Sequence, residues 1–158
     1  MNRKIFVISI IAFALDQVIK AIIGTIMTVN QTIPIIRDFF HITHFHNYGA
    51  AWGLFPNRQL FIIIATILAL ALIYRYMHSF KPNVRNNIAF GLLTGGILGN
   101  LLDRILHGYV IDFIDIYIFK YDFPIFNVGD ICIVCGVILL IIAIIKGEDK
   151  LEKNSSNK

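Results

Sequence analysis

Charged residues are scarce in this sequence of 158 residues, where Asp, Glu, Lys and Arg together make up 15%. An ordinary soluble domain has ~25% charged residues, and a disordered chain is poor in apolar ones. Here 57% of the residues are hydrophobic, and they come in blocks. This composition excludes disorder over most of the chain and favours a membrane protein. The length allows one domain, or two very small ones.

Cysteine is almost absent, and the two that occur, Cys132 and Cys135, are too few for a disulfide scaffold. Their C-x-x-C spacing is a redox or metal-binding pattern in soluble proteins. Here it lies in an apolar block, where thiols behave as small hydrophobic side chains. The net charge of +4 is not gathered into a basic stripe, so a nucleic-acid partner is not expected.

Four hydrophobic blocks predict transmembrane helices at about residues 5–27, 60–77, 88–106 and 128–145. Crossing the hydrocarbon takes ~20 residues, so the few polar residues of each block lie within or at the rim of its span. The first block could instead be a cleaved signal peptide, but its apolar residues resume after Lys20 and reach spanning length. We expect one membrane domain, residues 1–146, and a disordered, charged cytoplasmic tail, residues 147–158.

The basic residues predict the orientation in the membrane. An even number of spans puts both termini on one side, and most Lys and Arg residues lie on that side, which the positive-inside rule makes the cytoplasm. The residues on that side are Arg3, Lys4, Arg75, Lys81, Arg85, Lys146, Lys150, Lys153 and Lys158. The outer segments, residues 28–59 and 107–127, contain Arg37, Arg58 and Lys120.

This orientation brings most polar residues of the spans close to the outer leaflet. Such residues are costly in lipid and face a protein interior or an aqueous cavity. Asp16 and Lys20 lie one helical turn apart and are expected to form a salt bridge. Asn100, Asp103 and Arg104 share one face of the third span. The polar residues of distant spans are therefore predicted to meet at one depth.

Two local patterns predict packing and extended structure. Gly91, Gly95 and Gly99 are spaced four residues apart on the third span, which is typical of a face where two helices pack closely. Alternating side chains in residues 110–117 suggest an extended segment in the outer connection.

Asp130 begins the fourth span and allows two interpretations. In the first it caps the helix together with Asn127, which is three residues earlier. In the second it is catalytic and works with another carboxylate of the outer connection. Two carboxylates in one site do not both ionise easily, so the pair can hold one proton and activate water. Asp112, Asp115 and Asp122 all lie in this connection, and spacing alone favours none of them.

Five short motifs follow one another along the chain. They are Asp16-x-x-x-Lys20 and residues 47–53 (NYGAAWG), 95–104 (GGILGNLLDR), 108–113 (GYVIDF) and 126–130 (FNVGD). Each motif is weak alone. Their order across four spans resembles that of the lipoprotein signal peptidases, or signal peptidase II, over nearly the whole chain.

The resemblance implies an all-α membrane fold of four transmembrane helices, with a small extracytoplasmic β-cradle, largely from residues 28–59, and a short outer helix. It implies that Asp112 and Asp130 are the catalytic pair of an aspartic endopeptidase that uses no cofactor and no metal. Other residues match family positions that line or support the site: Asn47, Gly49, Asn100, Arg104, Asn127, Asp16 and Lys20.

The substrate implied by the resemblance is a diacylglyceryl-modified bacterial prolipoprotein. A monomer in the bacterial cytoplasmic membrane would cut it before the lipidated cysteine, near the outer leaflet, and would be sensitive to globomycin. The sequence departs from the family pattern beside the second catalytic aspartate. The family commonly has Ala before this residue and Ser after it, where this chain has Gly129 and Ile131.

Two other functions fit parts of the sequence. His41, His44 and His46, with Asp38 upstream, could bind zinc, but there is no HExxH motif and no paired Glu. A small transporter or channel could use the intramembrane charges as an ion or proton path. Against this, the polar residues gather near one face, and no internal repeat of the kind common in transporters is evident.

Overall fold

The computed structural model describes residues 2–49, 54–118 and 121–149, which form helices and a small antiparallel sheet. The elements are α1 (Arg3–Ile26), β1 (Thr32–Ile36), β2 (Phe40–Asn47), α2 (Gln59–Tyr76), α3 (Val84–His107), β3 (Val110–Ile118), β4 (Tyr121–Asp122) and α4 (Val128–Ile145). A 3-10 turn, Met77–Ser79, extends α2.

Each of the four α-helices is long and apolar enough to cross a membrane, so the prediction of four spans is confirmed. The third helix begins at Val84, several residues before the predicted start, because the Asn83 side chain accepts a hydrogen bond from the backbone N–H of Asn86 and caps it. It ends at Gly108, which adopts the left-handed conformation with a φ of 76°.

The third helix is the centre of the fold. It packs extensively against α1 and α4 and to a smaller extent against α2. A Cβ atom on Gly91 would lie 2.5 Å from Cγ2 of Ile8, and one on Gly95 would lie 2.5 Å from the Ser9 carbonyl oxygen. The predicted close packing of the glycine face is therefore confirmed, and its partner is α1.

The sheet has the strand order β1-β2-β3-β4, with antiparallel pairing throughout. The extended segment predicted for residues 110–117 is confirmed as β3. In its register with β2, Phe45 pairs with Asp112 and Asn47 pairs with Val110. Phe113 packs against Ile23 and Met27 at the end of α1, so the sheet is fixed to the helices.

The short outer helix expected from the resemblance has no counterpart among the described residues between α1 and α2 or between α3 and α4. Residues 50–53, which belong to one of the quoted motifs, and residues 119–120 lie outside the described residues. This helix stays a prediction.

The expectation of a disordered tail is wrong for residues 147–149. The backbone N–H of Lys81 donates to the carbonyl of Glu148 at 2.9 Å, and Phe80 forms a β-bridge with Asp149. The Glu148 carboxylate accepts a hydrogen bond from the Asn83 side chain at 2.6 Å and pairs with Arg85. These polar contacts hold the segment against the connection between α2 and α3. Residues 150–158 lie outside the described residues.

Candidate active site

The two predicted catalytic carboxylates line one cleft between α2, α3, α4 and the sheet. The cleft has a volume of about 1020 Å³, and Asp112 of β3 and Asp130 of α4 are both part of its wall. The other predicted site residues in its wall are Asn47, Gly49, Asn100 and Arg104. Motifs that are distant in the sequence therefore meet here.

Asn127 connects the two carboxylates and is completely buried. Its backbone N–H donates to Oδ2 of Asp130 at 3.1 Å, and its Oδ1 accepts from the backbone N–H of Asp130 at 2.9 Å, so the predicted capping box exists. Its Nδ2 donates to Oδ1 of Asp112 at 2.6 Å. The cap and the carboxylate pair are thus one arrangement, in which the cap orients Asp130.

Two further asparagines complete the hydrogen bonding of the pair. Asn47 Nδ2 donates to Oδ2 of Asp112 at 2.8 Å, and Asn100 Nδ2 donates to Oδ1 of Asp130 at 2.8 Å. Oδ1 of Asn100 accepts from the Lys20 ammonium at 2.8 Å, which directs the Asn100 amide N–H groups towards Asp130. Every oxygen of the carboxylate pair therefore accepts a hydrogen bond.

A buried ionic network supports the site from α1. Lys20 is 1% exposed, and its Nζ lies 2.7 Å from Oδ2 of Asp16 and 3.0 Å from Oδ2 of Asp103. The predicted pairing of Asp16 with Lys20 is confirmed, and it extends to a second carboxylate. Oδ1 of Asp16 also accepts the backbone N–H of Gly129 at 2.7 Å, so α1 fixes the first turn of α4.

Sequence reasoning missed Gln17 as a supporting residue. Its Nε2 donates to Oδ1 of Asp103 at 3.0 Å and to the Gly99 carbonyl at 3.2 Å. Oδ2 of Asp103 accepts the backbone N–H of Ile111 at 3.2 Å, directly before the catalytic candidate of β3. The signal in the sequence is a polar side chain beside Asp16 within an apolar block.

Arg104 holds the chain that follows β2. Its Nη2 donates to the Gly49 carbonyl at 2.9 Å, and its Nη1 donates to the Asn100 carbonyl at 3.2 Å. The backbone N–H of Gly49 donates to Oδ1 of Asn47 at 2.9 Å. Because this contact fixes the Asn47 amide, Arg104 and Gly49 help to aim its Nδ2 at Asp112.

The surroundings of Asp112 raise the pKa of its carboxyl group to about 7. Burial is the main cause, because it penalises the charged form, and the nearby Asp130 carboxylate adds to the effect. The hydrogen bonds from Asn47 and Asn127 and the charge of Lys20 act in the opposite direction. Asp112 thus changes its protonation state near neutral pH.

The structure separates Asp112 from Asp115, which spacing alone left equivalent. The two residues lie three positions apart on β3, so their side chains point to opposite faces of the sheet. Asp115 is buried and accepts a hydrogen bond from Thr43 Oγ1 at 2.6 Å. The side chain of Asp122 lies outside the part of the chain that the structure describes.

Among the described residues, the histidines that were considered as an alternative zinc site, His41, His44 and His46 with Asp38, do not come together as one cluster. The described residues contain no group of three or more His, Cys, Asp or Glu residues placed to bind a metal ion. His41 contacts the ring edge of Tyr117, whereas His44 and His46 contact each other. Burial is the main cause that lowers the pKa of His46, and its neighbours His44 and His107 lower it further.

The two residues that depart from the family pattern, Gly129 and Ile131, have different surroundings. A Cβ atom on Gly129 would lie 3.0 Å from both the Gly96 carbonyl oxygen and Oδ1 of Asn127, so this glycine permits the close approach of α3 and α4. Ile131 is 41% exposed and lines the cleft. It places an apolar side chain in the wall beside Asp130.

These features define a multi-pass membrane protein with an acidic site in a cleft among its helices. The chain belongs to the signal peptidase II family, because the family model for Signal peptidase (SPase) II matches residues 8–146. The family resemblance predicted from the motifs is thereby confirmed, and the protein is a member of a peptidase family.

Individual relatives agree with this assignment. The chain is 42% identical to the lipoprotein signal peptidase of Staphylococcus aureus strain bovine RF122 / ET3-1 over 160 residues, covering 97% of this chain and 98% of that protein. It is 43% identical to the lipoprotein signal peptidase of Staphylococcus aureus strain JH9, again covering 97% of this chain and 98% of that protein. A solved bacterial membrane enzyme structure superposes with a TM-score of 0.82 at 40% identity, covering 100% of this chain and 93% of the other.

Proposed function

We propose that this protein is an aspartic endopeptidase that removes the signal peptide from diacylglyceryl-modified prolipoproteins, cutting before the lipidated cysteine. The observation that carries the proposal is the pair Asp112 and Asp130, held in one cleft by hydrogen bonds to all four oxygens. The lipoprotein signal peptidases that resemble this chain suggest the substrate class. An active monomer is part of this proposal.

The reaction needs one proton shared by the two carboxylates. Asp112, with its raised pKa, holds this proton and donates it to the oxygen of the scissile carbonyl. Asp130 acts as the base, removes a proton from a water molecule and directs its attack on the carbonyl carbon. When the C–N bond breaks, the proton taken up by Asp130 passes to the departing amine, and a hydroxyl group of the tetrahedral intermediate returns a proton to Asp112 as the new carbonyl forms. No metal or cofactor takes part in these proposed reaction steps.

The walls of the cleft suit an apolar substrate anchored in the bilayer. Ile62 and Thr66 of α2 and Ile133 and Val134 of α4 line the cleft beside the polar site. A signal helix and acyl chains would reach the carboxylates laterally between these two helices. With both termini in the cytoplasm, as the positive-inside rule predicts, the scissile bond lies near the outer leaflet.

The substrate class is tested by purifying the protein, placing it in proteoliposomes and comparing two otherwise identical prolipoprotein peptides. We expect cleavage of the peptide with a diacylglyceryl cysteine, with mass spectrometry showing a product that begins at that cysteine, and inhibition by globomycin. The matched control is the same peptide with an unmodified cysteine, which should be cleaved poorly. Equal cleavage of both peptides would contradict the proposed specificity.

The raised pKa of Asp112 predicts how activity depends on pH. Since the reaction needs the proton on Asp112, kcat/KM should fall as the pH rises above about 7, by about tenfold per unit once that proton is lost. The hydrogen bond from Asn47 lowers the pKa of Asp112. Asn47→Ala should therefore raise this pKa and move the alkaline limb to higher pH. A pH–rate profile with an unmoved or lowered limb would refute the assigned role of Asp112.

The transporter alternative gains no support from the described residues. Asp16, Lys20 and Asp103 form one compact ionic cluster. A proton or ion path would instead need ionisable groups at successive depths of the membrane.

A further inference from the structure

A pair of histidines lies at the edge of the cleft and plays no part in the proposed reaction. His44 and His46 are separated by one residue on β2, and their Nε2 atoms are 3.2 Å apart. His44 is 4% exposed, whereas His46 is half-buried and lines the cleft directly before Asn47. The pair therefore adjoins the residue that holds Asp112.

Both imidazole rings are held in place by other groups. His44 Nδ1 lies 2.9 Å from the Met27 carbonyl oxygen, which can only accept, so Nδ1 carries the hydrogen atom. In the neutral ring, Nε2 of His44 then presents a lone pair towards His46. The His46 ring is stacked on Tyr109, with ring centroids 3.7 Å apart and an interplanar angle of 16°.

The separation of the two nitrogen atoms matches a shared metal ion. Zinc binds histidine nitrogen at about 2.0–2.1 Å. Two nitrogen ligands of one ion then lie roughly 2.9–3.4 Å apart, when the nitrogen–metal–nitrogen angle is between the square-planar and the tetrahedral value. In the neutral pair, His46 Nε2–H donates a hydrogen bond to His44 Nε2 at 3.2 Å, and this separation also lies within the range for two ligands of one ion. Alternate residues of a strand also point to one face, so the spacing in the sequence directs both rings to one point.

We propose that His44 and His46 form a two-histidine binding site for a late first-row divalent cation of the Zn²⁺ or Cu²⁺ type, at the edge of the cleft. Imidazole suits these ions, and water completes their coordination. On binding, the neutral His46 ring carries its proton on Nδ1 instead of Nε2, and both Nε2 lone pairs bind the ion. The number of bound protons does not change.

An ion at this site would inhibit the peptidase. It would fix β2 directly before Asn47, whose side chain points to the opposite face of the strand and donates to Asp112, and so would disturb the support of this carboxylate. This second part rests on the proposed function, whereas the metal site itself stands on the geometry of the histidine pair.

Metal binding is tested on the full-length protein, purified in detergent without a polyhistidine tag. We expect Cu²⁺ to give an electron paramagnetic resonance spectrum with hyperfine coupling to imidazole nitrogens. His44→Gln and His46→Gln should each weaken binding roughly tenfold or more, because one of the two protein ligands is lost. His46→Phe retains a ring that can stack on Tyr109, so it should lose the metal while keeping the fold.

His41→Gln is the matched control, because His41 lies on the same strand but contacts Tyr117 instead of the pair. This variant should bind Cu²⁺ like the wild type. Unchanged Cu²⁺ affinity in both His44→Gln and His46→Gln would overturn the site.

Inhibition is tested by adding Zn²⁺ to the cleavage assay and then removing it with a chelator. Activity of the wild type and of His41→Gln should fall and recover, whereas His46→Gln should be much less sensitive. If Zn²⁺ inhibits His46→Gln as strongly as the wild type, the inhibitory role is wrong. Absence of cleavage in the metal-free wild type would instead contradict the proposed function and leave the Cu²⁺ measurement intact.

Discussion

Replacing either Asp112 or Asp130 by Asn should lower kcat/KM for prolipoprotein cleavage by roughly 10³-fold or more, since general acid–base catalysis contributes factors of this order. Asparagine preserves the shape of the side chain but can neither take a proton from water nor give one to the carbonyl oxygen. Initial rates in proteoliposomes measure the effect. Wild-type rates in both folded variants would exclude the carboxylate pair as the catalytic groups.

Two other Asp→Asn variants serve as controls for this experiment. Asp38 is exposed and has a φ of 59°, a conformation that Asn tolerates, so Asp38→Asn should leave both folding and cleavage unchanged. Asp115→Asn tests the neighbouring carboxylate of β3, which contacts Thr43 on the other face of the strand. The folded Asp115→Asn variant should still cleave the prolipoprotein. Loss of cleavage in Asp115→Asn, with normal cleavage in Asp112→Asn, would show that the wrong aspartate was chosen.

The two interpretations of Asp130 show what the sequence could predict about the site. A pattern of Asn followed three residues later by Asp predicts a cap, and the capping box is present. It does not reveal that the same Asn127 side chain also reaches Asp112. That contact depends on how β3 lies against α4, which local spacing does not encode. The choice of Asp112 over Asp115 came from the family resemblance alone.

The spans were predictable because long apolar blocks have few structural alternatives in a membrane protein. The start of α3 was harder to predict from the sequence. Arg85, Asn86 and Asn87 make its first turn resemble a polar loop, although Asn83 provides a cap. The folded segment of residues 147–149 was missed for a related reason. Glu148 is ordered by partners more than 60 residues away, so composition alone suggested a solvated tail.

The support beneath the carboxylate pair was only partly visible in the sequence. The i, i+4 spacing predicts the contact between Asp16 and Lys20, because both lie on one helix. The contacts of Lys20 with Asp103 and Asn100 join two helices, and they follow from the close packing that the glycine face permits. The sequence motifs thus contained Asp16, Lys20 and Asp103, but they did not show that Lys20 is the cation shared by both carboxylates.

This shared cation leads to the second large expected effect, a loss of stability in Lys20→Met. Methionine fills a similar volume but leaves Asp16 and Asp103 buried without a counter-charge, and breaking a buried ion pair in this way costs about 3–5 kcal/mol. Thermal unfolding in detergent should show a marked decrease in the transition temperature, together with loss of cleavage. Lys4→Met is the matched control, because Lys4 is exposed on the same helix and its replacement should have little effect.

A triple variant separates the loss of charge balance from a simple loss of packing. If uncompensated carboxylates cause the instability, adding Asp16→Asn and Asp103→Asn to Lys20→Met should restore much of the transition temperature, since no buried charge then remains in this network. Asn at position 16 also retains an oxygen that can accept the backbone N–H of Gly129. A triple variant no more stable than Lys20→Met would show that Lys20 acts through packing and hydrogen bonding. The buried ion pair would then not be what holds α1 to α3 beneath the active site.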